Sequence, residues 1–165
     1  MIRRILAVIA GFVVASLVMM AMETMNGKVF HPELGALAAA KDAEAVREME
    51  AKAPPGTVAD PREVAMHRRE VMRDLMKEAP TGALLVVALG WILGSVAGGF
   101  TATKIGRMAA TTTTFALGGL LLLAGVANNL MLPPPTWFWI VTMILFLPAT
   151  YLGAWLAVKM RTSSG

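Results

Sequence analysis

One long uncharged stretch constrains the fold of this chain more than any other feature of its sequence. Residues 108–158, 51 in all between Arg107 and Lys159, include no charged side chain, and prolines 133–135 interrupt the stretch near its middle. Two further apolar runs, Ile5–Met22 and Thr81–Thr103, each reach the ~18 residues that cross the core of a bilayer. The sequence therefore predicts an all-α polytopic membrane protein with four transmembrane helices arranged as two hairpins.

We expect one integral membrane domain over 1–165, a four-helix bundle with a helical extracytoplasmic loop at 26–80. The predicted spans are approximately 5–25, 81–103, 108–131 and 136–158. Composition agrees, because 56% apolar and 16% charged residues lie outside the usual range of soluble domains. The absence of cysteine from the sequence excludes disulfides, thiolate nucleophiles and iron–sulfur clusters. The sequence predicts no cofactor.

The distribution of charge predicts the orientation. The segments before span one, between spans two and three and after span four hold six basic residues and no acidic one, whereas the long loop holds nine basic and ten acidic residues. By the positive-inside rule, we expect both termini in the cytoplasm and the long loop on the outer side of the membrane. The net charge of +4 therefore reflects topology, and we expect no nucleic-acid partner.

The long loop should form two helices separated by Pro54–Gly56. Glu33–Lys52 is rich in Ala, Glu and Lys, which favour helix. Asp60 and Pro61 are typical of a helix start, where Asp caps and Pro supplies the φ of the first turn. Apolar residues on one side of this second helix predict that it lies over the membrane surface or on the mouth of the bundle.

Span two carries a stripe of small residues, namely Gly82, Gly90, Gly94 and Gly98. Their spacing of four and eight residues places them on one face, where another helix can approach closely. The pattern leaves open whether that helix belongs to the same chain or to a second copy in a homo-oligomer. Trp91, near the middle of the span, is expected to fill space rather than to contact a ligand.

Polar residues near the outer membrane edge form the candidate site. Glu23 lies about 27 Å along span one at 1.5 Å per residue, and two amides on span three lie at similar depth. The predicted outer polar cleft consists of Glu23, Asn26, His31, Asn128 and Asn129. An ionisable residue in a span indicates function, but shallow carboxylates and amides also reach water or cap helices, so both interpretations stay open.

Two groups of residues could form metal sites, but each has a simpler interpretation. Helical spacing puts Glu63, His67, Glu70 and Asp74 on one face of the second loop helix, although neighbouring basic residues favour a solvated face. The methionines at 19, 20, 22 and 25 could bind Cu(I), but flexible packing is the simpler explanation. The sequence therefore predicts no metal.

Three short motifs resemble a family of small four-span bacterial inner-membrane proteins that has no assigned activity. They are Glu23 followed by His31–Pro32, the segment Ala79–Leu85 that opens span two, and Ala127–Asn128 together with Pro135–Phe138 at the start of span four. The resemblance implies the same four-span fold and a location in the bacterial inner membrane. It implies no reaction and no substrate.

The sequence favours a non-catalytic protein, a helix-packing or accessory module of a membrane assembly. Its expected partners are membrane lipids, a second copy of the chain or a larger membrane complex. The alternative is a small-solute transporter or lipid-handling protein that uses the outer cleft. No catalytic residue is predicted.

Overall fold

The computed structural model describes residues 1–54 and 56–163, and over this range every regular element is a helix. Two short π-helical turns, Asn26–Phe30 and Thr114–Gly118, continue from α-helices without a break. The α-helices are α1 (Ile2–Met25), α2 (Pro32–Lys52), α3 (Pro61–Lys77), α4 (Thr81–Gly106), α5 (Ala110–Thr113), α6 (Gly119–Met131) and α7 (Thr136–Thr162).

Four helical stretches are long and apolar enough to cross a membrane, which confirms the all-helical, four-span prediction. They are Ile2–Phe30, Thr81–Gly106, Ala110–Met131 and Thr136–Thr162. Spans one, two and four extend beyond the predicted bounds into polar residues at their ends, whereas span three begins two residues later than predicted, at Ala110. The chain is therefore a multi-pass membrane protein.

Helix α4 lies at the centre of the bundle, with α1 on one side and α7 on the other. Small residues bring these helices close together. A Cβ atom at Gly98 would lie 2.6 Å from the carbonyl oxygen of Gly11 in α1, and a Cβ atom at Gly153 in α7 would clash with the backbone of Val96. These close contacts are the packing that membrane helices use in place of a hydrophobic driving force.

The two ends of the bundle differ in chemistry. At one end, which we name the terminal end, the start of α1, the turn between α4 and α5 and the end of α7 lie together around a basic recess. At the opposite end, which we name the loop end, α2 and α3 cover the bundle.

Span three changes its neighbours along its length. Its first part, through the π turn Thr114–Gly118, contacts α1, α4 and α7, whereas α6 packs chiefly against α7. Because α6 leaves α1 and α4, a space opens between these helices at the loop end.

Helices α2 and α3 pack against each other through polar contacts. The Arg68 guanidinium makes a bidentate contact with Asp42 and holds the pKa of that half-buried carboxyl below its ordinary value. Asp60 caps α3 as predicted, since its Oδ1 accepts a hydrogen bond of 2.8 Å from the Arg62 backbone N–H. The predicted break between the two helices lies at Pro54 and Gly56, and Pro55 falls outside the described residues.

A candidate ligand cavity at the loop end

A cavity of about 340 Å³ lies at the loop end between α1, α4, α6 and α7, beneath α2 and α3. Four of the five residues predicted to form the outer cleft line it, namely Glu23, Asn26, Asn128 and Asn129. The fifth, His31, lies behind Asn26 and does not line the cavity. The volume lies within the range of small-molecule binding sites.

Asn26 and His31 fix the chain where it leaves span one. The Asn26 side-chain N–H donates to the Ala83 carbonyl oxygen at 3.0 Å, and His31 Nδ1 lies 2.8 Å from Asn26 Oδ1. With the amide in this orientation, Nδ1 carries the hydrogen and donates it. The first bond ties the π turn to α4 and the second holds the Asn26 amide in place, so both side chains have a structural role where span one ends.

Trp91 forms one wall of the cavity, although the sequence predicted only a space-filling role for it. The indole is 7% exposed and packs on Phe138 and Phe146, with ring centroids 5.6 and 5.3 Å away. Its Nε1–H donates to Glu23 Oε1 over a long 3.4 Å. A signal was present in the sequence: helical side chains lean toward the helix N-terminus, which brings Trp91 toward the level of Glu23.

Asn129 is the most unusual residue of the cavity. Its side chain is 1% exposed, and within the described part of the chain neither Oδ1 nor Nδ2 has a hydrogen-bond partner. Its neighbour Asn128 also lines the cavity but is exposed. Buried polar atoms are nearly always hydrogen-bonded. The two unpartnered atoms of Asn129 therefore indicate a place where a ligand or an ordered water can bind.

The rest of the wall is largely apolar, and part of it comes from the loop helices. The apolar side chains of α2 and α3 that line the cavity are Leu34, Leu37, Ala38, Met72, Leu75 and Met76, and Ala79, between α3 and α4, lines it as well. The sequence predicted α3 over the membrane surface or on the mouth of the bundle, and it did not link these side chains to the cleft. Among the lining residues, Glu23 alone carries a charge, so the cavity suits a ligand whose polar group is neutral or cationic.

The glycine stripe predicted on α4 divides into two parts. The larger part lies in the contact with α1 and consists of Gly90, Gly94 and Gly98. A Cβ atom at Gly94 would lie 2.8 Å from the Ala15 carbonyl oxygen. Gly82 lies apart from this contact, beside the imidazole of His31. The helix that covers the larger part therefore belongs to the same chain.

The candidate metal ligands lie beside protein side chains that do not complete a metal site. His67 Nε2 lies 3.1 Å from a Glu48 carboxylate oxygen of α2, and His67 Nδ1 lies 3.9 Å from Glu70. Across residues 1–54 and 56–163, no three His, Cys, Asp or Glu side chains converge as a metal site would need. Met19 and Met22 pack against the glycines of α4.

Comparisons with known proteins give no match: no family model, no curated protein and no solved structure matches the chain. The function is therefore inferred from the chemistry of the cavity.

Proposed function

We propose that this is a non-catalytic membrane protein that binds an amphiphile taken from the bilayer in its loop-end cavity, as a lipid-handling protein or a small-solute transporter would. The observation that carries the proposal is Asn129. Its amide is buried in an apolar-walled cavity with both polar atoms unpartnered among the described residues.

The composition of the wall supports an amphipathic ligand. The apolar side chains of α2, α3 and α4 offer a surface for an alkyl or aromatic portion. Burial of that portion favours binding by about 25 cal/mol per Å² for a ligand that enters from water, whereas for a ligand that leaves the bilayer the wall replaces lipid chains and the polar contacts decide the affinity. Asn129 can both donate to and accept from a polar group such as a hydroxyl, an amide or an amine. Glu23 at the same wall disfavours an anionic group.

The charge pattern supports an orientation with the cavity on the outer side. The six basic residues of the terminal segments favour the cytoplasm, which would put the loop end at the outer leaflet of the inner membrane. A ligand would then enter from that leaflet or from the aqueous space beyond it.

Native mass spectrometry tests the proposal on protein extracted from its own membrane in a lipid-retaining polymer. We expect a discrete mass above that of the chain, retained in the wild type and in Asn128→Leu and lost in Asn129→Leu. The control changes the same residue type at the neighbouring, exposed position. Equal retention by both variants, or a wild-type chain with no bound molecule, would contradict the proposal.

A second candidate is the accessory module, and the surface of α1 favours it. This helix buries only Ala7, Gly11 and Ala15 and leaves large apolar side chains such as Val13 and Leu17 exposed. In a membrane such a surface meets either lipid or another protein helix.

Cysteine cross-linking tests this second candidate, because the natural sequence has no cysteine. A defined partner or a second copy on α1 should give efficient cross-linking in membranes at Val13→Cys. The comparable lipid-exposed control Leu123→Cys on α6 should give little. Equal, weak cross-linking at both positions would refute an interface on α1.

A further inference from the structure

The terminal end contains a recess that the proposed function does not use. It has a volume of about 780 Å³ and is lined by residues of α1, of α4 and its following turn, and of α7. Four cationic side chains line it, namely Arg3, Lys104, Arg107 and Arg161. Three further lining residues, Phe100, Ala157 and Met160, are apolar.

No acidic side chain neutralises these cations, because residues 1–22 and 79–165 of the sequence contain neither Asp nor Glu. Two of the four make local contacts. Arg3 Nε donates to the Ile105 carbonyl oxygen at 2.8 Å, and Lys104 Nζ lies 5.3 Å from the centre of the Phe100 ring. Neither contact supplies a negative charge, so the like charges around the recess attract an anion from outside the chain.

The backbone at Arg107 holds one of these cations in an unusual conformation. Its φ of 51° is left-handed, which residues with a Cβ atom adopt rarely and which glycine would adopt without strain. The position ends α4 and starts the turn into α5. Glycine would end α4 at this position with less conformational strain. The chain has a cationic residue there instead, and that residue lines the recess.

We propose that this recess binds the phosphodiester headgroup of an anionic phospholipid. Guanidinium and ammonium groups bind phosphate oxygens through charge-assisted hydrogen bonds, and arginine does so bidentately. The apolar wall distinguishes a lipid from free phosphate, since Phe100 and Met160 offer contact to acyl chains beside the lipid-exposed Ile105. Basic pockets between transmembrane helices bind such headgroups in other membrane proteins.

The experiment measures which lipids stay bound to the purified full chain. The protein, delipidated in neutral detergent, is incubated with phosphatidylglycerol or phosphatidylcholine, and retained lipids are counted by native mass spectrometry. The test variant is Lys104→Gln with Arg161→Gln. The matched control is Arg4→Gln with Lys159→Gln, which removes the same charge from the same end but from residues outside the recess.

We expect the wild type to retain phosphatidylglycerol in preference to phosphatidylcholine. Each recess cation removed should weaken retention about fivefold, and the test variant should therefore lose about 25-fold. The control should change less than about twofold. Equal losses in both variants would show general surface attraction and overturn the proposal.

Two further measurements on the wild-type protein test the proposal even if a variant folds poorly. Retention of phosphatidylglycerol by the wild type should fall as salt rises from 0.05 to 0.5 M, roughly spanning the range over which screening becomes strong. Insensitivity to salt would contradict a charge-based site. Inorganic phosphate at about 10 mM, which half-fills a site that binds it with only about −2.7 kcal/mol, should displace little lipid. Phosphate binding without any lipid retention would overturn the assignment to a lipid.

Discussion

Replacing Asn129 with leucine should make the ligand-free protein more stable. Each buried polar atom without a partner costs about 1–3 kcal/mol, and Asn129 has two such atoms among the described residues. Hydrogen bonds inside membrane proteins measure at the low end of such values, so we take about 2 kcal/mol in total. Leucine has a similar branched shape without polar atoms. At about 2–4 °C per kcal/mol for a chain of this size, Asn129→Leu should raise Tm by about 4–8 °C.

Thermal unfolding of delipidated protein in detergent measures this change, with Asn128→Leu as the matched control. Asn128 is exposed, so its replacement should leave Tm within about 1 °C, since it removes no buried polar atom. The increase at Asn129 should shrink when the native lipids are present, because the bound molecule then satisfies the wild-type amide. A lower Tm for ligand-free Asn129→Leu would refute the reasoning, since it would mean that the amide already has a partner.

Three further predictions concern packing, charge and pH. Gly98→Ala should destabilise the protein by about 2 kcal/mol in thermal melts, because the new methyl group would lie 2.6 Å from a carbonyl oxygen of α1. The control Gly119→Ala should not destabilise it, because no atom lies within 4 Å of the position that its methyl group would take. Glu23→Gln should weaken calorimetric binding of dodecylamine about twofold to fivefold and leave binding of dodecanol unchanged. Arg68 lowers the pKa of Asp42 in the folded protein. The pair therefore stabilises the α2–α3 contact fully at pH values above the unfolded pKa of about 3.9. This stabilisation is lost as the pH falls through the lower, folded pKa. Spin-label distances between α2 and α3 should therefore broaden in acid, whereas Asp42→Asn should show broad distances at every pH.

Sequence reasoning located the spans and the helix starts because their signals are local. Apolar length sets a span, and prolines 133–135 must separate two of them. Asp60 and Pro61 mark a helix start through their own side chains, independently of tertiary contacts. Counting 1.5 Å per residue also placed Glu23 and the span-three amides at a common depth, and four of the five predicted residues line one cavity.

Counting residues along a helix gives depth but does not predict how the helix is rotated about its axis. Asn128 and Asn129 are identical in type and adjacent, yet one is exposed and the other is buried without a partner in the described structure. The π turn Thr114–Gly118 inserts an extra residue into the helical ladder and turns the side chains that follow it. Hydropathy averaged over a span cannot detect this shift. The part of the wall formed by α2 and α3 likewise depends on tertiary folding.

The threonine run at the start of span three explains why a cavity exists at the loop end. Thr103 of α4 donates a buried hydrogen bond of 2.8 Å to the Thr113 hydroxyl, which fixes span three to α4 near the terminal end. Thr114 donates to the Ala110 carbonyl oxygen at 2.9 Å, a type of back-bond that bends helices, just where the π turn begins. A span held at one end and bent next to that anchor diverges toward its other end. The polar side chain of Asn129 is thereby buried at the wall of a cavity, and the cavity at the loop end follows from the way span three is held at the terminal end.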